Sequence, residues 1–220
     1  MGLIVENYEN RDAWLLGRTR GIGASSAASA VGCNKWQSNV ELWELLTGKR
    51  QPKEPIGSSS QYIEFGNKAE PIMRELFKLR HPEIIVTYNQ YGILYQSDLP
   101  WLRATLDGQC ETDEPIRFGQ NKGILEIKTA TLKTKQQWEE WNGRMPQHYY
   151  IQCLHQLIAT GWDYVILFAL LMGNSEWVIR EFEIYRDDVE DDLAWLLEEE
   201  KKFWGYVERN EEPPEILPDI

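Results

Sequence analysis

Gly123-Ile124-Leu125-Glu126-Ile127-Lys128-Thr129 is the stretch from which the rest of the chain can be read. Side chains alternate between the two faces of a strand, so Leu125 and Ile127 are expected to face a core while Glu126 and Lys128 share the other side. That places a carboxylate and an ammonium at one spot. Upstream, Leu102 to Leu106 forms another short strand-like run that stops at Asp107-Gly108, where a strand ends and a turn begins. Asp107 thereby offers a second carboxylate. Two carboxylates can hold a hard divalent cation, and a neighbouring lysine can orient a water or steady a developing negative charge, which is the chemistry of phosphodiester cleavage.

The 220 residues, 42% of them apolar, are expected to form a single domain over 1–220, with an acidic final helix (187–209) and a tail (210–220) as part of it. No long uncharged apolar run or signal-peptide pattern is present, so a soluble, cytoplasmic protein without a membrane partner is expected. Cys33, Cys110 and Cys153 lack metal-site spacing and read as reduced and structural. His148 and His155 would lie roughly 10 Å apart along a helix, too far for one metal, and read as surface or polar-face residues. The net charge of −12 disfavours nucleic acid at first sight. Residues 181–220, however, hold 15 Asp+Glu against 4 Lys+Arg, leaving 20 against 19 in the remainder. The acidity is C-terminal, and the nearly neutral body can carry a local basic lining.

Trp14 to Arg20 reads as the opening of the folded part, followed by the small-residue run Gly21 to Ala30. Ser25 or Ser26 is suited to cap a helix from Ala27, and a helix start beside Arg18 can bind an anion; a plain packing turn with an ordinary cap fits the same residues. Ser38 to Glu41 is a capping box opening a helix that Gly48 closes. Residues 49–60 read as a loop carrying Lys49, Arg50 and Lys53, and Tyr62 to Arg80 as a helix that Pro71 must begin or kink, leaving Glu70 at an irregular point. Ile84–Tyr88 and Tyr91–Tyr95 read as strands joined by a turn at Asn89-Gln90, and Gln109–Lys122 as a hairpin loop. Lys133, Lys135, Trp138 and Trp141 mix cations with rings, a composition that can track a nucleic-acid strand or supply core anchors with solvated lysines. Gln147–Ala159 reads as a helix with Gln152 and Gln156 one turn apart on one face. Trp162–Leu171 reads as a buried strand joined antiparallel to the half-exposed Trp177–Tyr185; the acidic face of the final helix reads as solvated and Glu211–Ile220 as frayed.

Taken together, the motifs resemble those of the phage lambda exonuclease family, also called YqaJ-type viral recombinases. The resemblance runs over most of the chain in matching order: Trp14 to Arg18 with Gly23-Ala24-Ser25, Gly66 to Glu70, Leu106-Asp107-Gly108, Leu125 to Lys128, His148 to Gln152, and Phe203-Trp204 with Pro213-Pro214. Leu106 departs from the wider nuclease pattern, which often has proline before the aspartate, but the carboxylate is intact. The resemblance implies an α/β restriction-endonuclease-like core, a mixed central sheet flanked by helices, and metal-dependent exonuclease activity on double-stranded DNA ends. It implies that Asp107, Glu126 and the Ile127 carbonyl ligate Mg²⁺ (Mn²⁺ substituting), with Glu70 completing the site directly or through water. Lys128 would orient the attacking water, Gln152 would support the lysine or the scissile phosphate, and Arg18 and Ser25 would bind the terminal 5′-phosphate. It further implies degradation of the 5′ strand, work with a single-strand annealing protein, a ring-shaped trimer in some members, and a phage or prophage origin in a bacterial host. The rival readings are a site-specific endonuclease of the same fold, an iron-sulfur exonuclease, and a non-catalytic end-binding or interaction module. Three scattered cysteines do not supply the four thiolates of an iron-sulfur cluster.

Overall fold

The computed structural model describes residues 2–51, 58–113 and 121–216. Residues 52–57 of the expected 49–60 loop, Lys53 among them, the 114–120 part of the polar run, and the last four residues lie outside the described residues, and Ser58–Ser60 belong to a helix rather than to that loop. In chain order the elements begin with β1 (Leu3–Asn7), α1 (Arg11–Arg18), β2 (Ile22–Gly23), a 3-10 turn at Ala24–Ser26, α2 (Ala27–Ala30), α3 (Asn39–Leu46) and α4 (Ser58–Arg80). Next come β3 (Ile85–Thr87), β4 (Gly92–Gln96), β5 (Leu102–Arg103), β6 (Gly108–Glu111) and β7 (Lys122–Thr131). The chain continues through α5 (Lys135–Glu139), α6 (Gln147–Thr160), β8 (Tyr164–Met172), β9 (Trp177–Tyr185) and α7 (Glu190–Arg209).

The main sheet has five strands in the order β3-β6-β7-β8-β9, with β7 and β8 parallel and the other pairs antiparallel. It is therefore mixed, and α5 and α6 connect its two parallel central strands, as such a connection requires. Helices cover both faces. On one, Leu125, Ile127, Ile166 and Phe168 pack against Ala69, Met73 and Phe77 of α4. On the other, Ile124, Val165, Leu167 and Ala169 pack against Leu154, Leu157 and Ile158 of α6. The period-2 alternation of β7 puts Glu126 and Lys128 on the α6 side with Ile124, so the face that carries them lies under a helix.

The capping box at Ser38 and Glu41 forms in both directions. α6 ends at Gly161, whose φ of 71° is left-handed, and β8 and β9 pair in full antiparallel register. α4 passes through Pro71 without ending. The missing proline amide leaves the Asn67 carbonyl without its helical donor, while the buried stripe of Ala69, Met73 and Phe77 holds the flanking turns.

Several local expectations are corrected. β3 and β4 do not form a hairpin: β3 pairs with β6, and β4 pairs with β1, an N-terminal strand that precedes the expected start of the fold. Gln109–Glu111 belongs to β6 rather than to a loop. His155 is fully buried, its Nδ1 2.7 Å from Glu200 Oε1 and its Nε2 3.0 Å from the Arg103 carbonyl. Glu200 is equally buried, so the acidic helix α7 carries one carboxylate into the core as the partner of His155. The tail is docked through residue 216: Asn39, itself buried, donates to the Pro214 carbonyl and accepts from the Ile216 amide.

Candidate active site

Glu126 stands at the centre of the site and is only 2% exposed. A buried carboxylate is costly unless its oxygens are satisfied, and three donors converge on this one. Lys128 Nζ lies 2.6 Å from Oε1, Gln152 Nε2 donates to Oε1 at 2.6 Å, and Gln156 Nε2 donates to Oε2 at 2.5 Å. Lys128 comes from the same strand face two residues on, and the glutamines from one face of α6. The Gln152 amide thus supports the Glu126 carboxylate, on the same oxygen that Lys128 approaches.

Asp107 reaches the same place from the neighbouring strand. The β6–β7 ladder begins at Gly108 opposite Leu125. Just outside that ladder, the Asp107 side chain replaces a strand by accepting the Ile127 amide on Oδ2 at 2.8 Å. The Ile127 side chain is buried against α4, so its backbone alone faces the site chemistry. Glu70 arrives from α4, held by Arg74 Nη2 at 2.5 Å. Arg74 is buried, also donates from Nε to the Asp107 carbonyl at 2.5 Å, and stacks 3.7 Å from the Tyr88 ring centre. One guanidinium therefore ties the Glu70 carboxylate on the helix to the Asp107 backbone carbonyl beside the strand. Sequence reasoning missed Arg74, although its four-residue spacing from Glu70 is the signal that could have found it.

Burial, then the Glu126 carboxylate, push the Asp107 carboxyl well above the usual range, tempered by Lys128. Burial pulls the Lys128 ammonium down, but Glu126 and Asp107 outweigh it and leave its pKa raised. The site therefore holds a charged lysine beside carboxylates that one cation does not fully compensate. Among the described residues no three His, Cys, Asp or Glu side chains converge as a ready-made metal cage. The donor set fits Mg²⁺ nonetheless, because that ion takes one or two carboxylates and completes its shell with water and substrate oxygens. Asp107, Glu126 and the Ile127 backbone are such donors, while Glu70 is turned toward Arg74.

Arg18 and Ser25 line the same cleft, of about 480 Å³, as Glu70, Asp107, Glu126, Lys128 and Gln152. Arg18 lies over the Trp14 ring at 4.7 Å, and no carboxylate among the described residues pairs with it. Neither serine caps a helix: Ser25 lies in a 3-10 turn, and Ser26 precedes the single-turn α2 without a side-chain cap bond. A helix this short contributes little dipole, so an anion here would rely on the Arg18 guanidinium and the exposed Ser25 hydroxyl. A larger groove of about 1100 Å³, bounded by residues such as Lys35, Arg144, His148 and Glu181, contains none of the carboxylate-lysine set.

The YqaJ-like viral recombinase domain profile matches residues 13–163. The chain is 31% identical over 205 residues to the uncharacterized protein YqaJ of Bacillus subtilis (strain 168), covering 92% of this chain and 58% of that relative's length. The structure resembles the alkaline exonuclease LHK-Exo of Laribacter hongkongensis, with a TM-score of 0.62 and 18% identity over 91% of this chain and 94% of that one. The structure of LHK-Exo in complex with dAMP matches at a TM-score of 0.61 and 19% identity, again over 91% and 94%. At such identity the likeness establishes the fold, an alkaline exonuclease fold with a helix-flanked mixed sheet. From the profile match over most of its length, the chain belongs to the YqaJ-like viral recombinase family.

Proposed function

We propose that this protein is a Mg²⁺-dependent exonuclease, with Mn²⁺ able to substitute, that resects the 5′-phosphorylated strand of linear double-stranded DNA and leaves a 3′ overhang. The observation that carries this reading is the meeting of Asp107, Glu126 and Lys128 in one cleft with Arg18 and Ser25. Asp107, Glu126 and the Ile127 carbonyl would hold the ion, with Glu70 contributing directly or through water. When bound, Mg²⁺ supplies Lewis-acid stabilisation of the phosphate and lowers the pKa of water. Gln152 and Gln156 fix the Glu126 carboxylate, so its oxygens need no rearrangement as charge builds. Arg74 keeps the Asp107 backbone and Glu70 in register with each other. Lys128 Nζ orients the water toward phosphorus and offsets the negative charge that develops there. Arg18 and Ser25 anchor the terminal 5′-phosphate, which sets the scissile bond at the carboxylates and gives the enzyme its polarity.

The resemblance to the lambda exonuclease family extends the proposal to a single-strand annealing protein as partner, a ring-shaped trimer as assembly, and a phage- or prophage-encoded protein acting in a bacterial cytoplasm. Digestion of linear duplex labelled at the 5′ or the 3′ end, beside a closed circle, tests the reaction. Release of 5′ label only, with an intact circle and no activity in chelator, is the expected result. Cutting of the circle would replace the exonuclease with an endonuclease, and full activity in chelator would refute the metal. A 5′-hydroxyl duplex should be degraded more slowly than a 5′-phosphorylated one, and Arg18→Ala should remove the difference.

A further inference from the structure

The cleft does not end at the carboxylates. β7 runs on past Lys128, and Thr129 and Tyr62 line both the cleft and an adjoining groove of about 250 Å³. The remaining walls of that groove are Phe65, Thr131, Lys133, Gln137 and Met172, so it carries a lysine and no carboxylate. Lys133 Nζ lies 5.7 Å from the Tyr62 ring centre. Phe65 meets Trp177 edge to face at 6.1 Å, and Tyr62, Phe65 and Trp177 are 45%, 36% and 64% exposed. Two exposed rings, Tyr62 and Phe65, thus line a path with Lys133 that opens from the candidate active site, and Trp177 extends the ring surface through Phe65. In a chain of net charge −12, a carboxylate-free, lysine-bearing lining selects for an anion, and exposed rings select for flat apolar faces. A flexible single strand of nucleic acid offers both, whereas stacked duplex hides its base faces.

We propose that Tyr62, Phe65, Lys133 and Trp177 form a track for single-stranded DNA continuous with the strand held in the cleft. Bases stack on the rings, and a phosphate pairs with Lys133. The continuity with the cleft rests on the nuclease reading above; the affinity of the track does not. Fluorescence anisotropy of a labelled oligothymidylate, in chelator so that nothing is cut, measures it directly. Phe65→Ala and Trp177→Ala are expected to weaken binding about 5-fold or more each, the usual loss per stacked base. Trp177→Phe, which keeps a ring, should retain affinity. Lys133→Ala should reduce the slope of log affinity against log salt by about 0.7, the value for one phosphate contact on a single strand. Cleavage of 5′-labelled linear duplex by the parent is assayed separately with Mg²⁺, so failure of the nuclease reading and failure of the track are distinguishable. The proposal is overturned if the parent does not bind the oligonucleotide or if the ring variants bind it unchanged. It is overturned equally if those variants alter only the sedimentation behaviour, which would make the patch a protein interface.

Discussion

Gln156→Leu separates the support of the site from the stability of the fold. Gln156 is fully buried, donates to Glu126 Oε2 at 2.5 Å, and leaves its own Oε1 buried with no partner among the described residues. Leucine fills a similar volume without either polar atom. The lost bond to a charged acceptor costs about 1.5–3 kcal/mol, and removing the unpaired oxygen returns about 1–3 kcal/mol. The two nearly cancel, so the melting temperature should move by no more than about 8 °C for a chain of this size. Activity should respond differently, because Glu126 keeps the donors on Oε1 and loses the one on Oε2. Loss of such an outer hydrogen bond around a metal carboxylate lowers affinity or turnover about 10- to 100-fold. The assay is kcat and KM on 5′-phosphorylated linear duplex over a Mg²⁺ titration, alongside a thermal melt. A melt within the stated range with activity within twofold of the parent would refute the positioning role. A fall of more than about 10 °C would show that the hydrogen bond is structural and that the cancellation is wrong.

Three further outcomes are expected. Lys128→Ala should abolish cleavage and also lower stability by about 2–4 kcal/mol, because it strips the ammonium from a carboxylate that stays buried; a variant that melts like the parent would mean the pair contributes nothing to the fold, and substantial residual turnover would remove the lysine from the mechanism. Arg74→Lys keeps the charge but not the fork that reaches Glu70 and the Asp107 carbonyl together, so a drop of about 10-fold or more in turnover is expected, and unchanged kinetics would dismiss the clamp. Burial, with Lys35 and Lys128 nearby, pushes His148 from 6.5 down to about 4. Between those values the unfolded chain takes up a proton that the folded chain refuses, so stability is complete above pH 6.5 and declines as pH falls toward 4. Melts at pH 7 and pH 5 should therefore diverge more for the parent than for His148→Gln, and parallel curves would exclude His148 as the cause.

How much was legible in the sequence follows the range of the forces involved. Alternation placed Glu126 and Lys128 on one face of a strand, the capping box opened α3, and the antiparallel joining of the last two strands was readable. Each of these is local, set by neighbours within one turn of helix or one pleat. The pairing of β4 with β1 was not readable, because a strand's pattern says that it pairs and not with whom. For the same reason the frayed tail and the surface histidine were misjudged: Asn39 and Glu200, their partners, are remote in sequence. The serine cap failed because the local signal for a helix start met a chain that turns away after a single helical turn.

By itself the sequence determined the chemical inventory of the site: two carboxylates, a lysine, a helix glutamate, a glutamine face and an arginine-serine segment, in an order that resembles the YqaJ-like viral recombinase family. Only the tertiary structure decided how these groups are engaged. It brought them into one cleft, bonded both glutamines to Glu126, turned Glu70 to Arg74, and opened a path along β7 toward Tyr62 and Lys133. The physical reason is that hydrogen-bond partners of buried charges are chosen by where the elements pack, and packing is set by contacts between residues far apart in the chain.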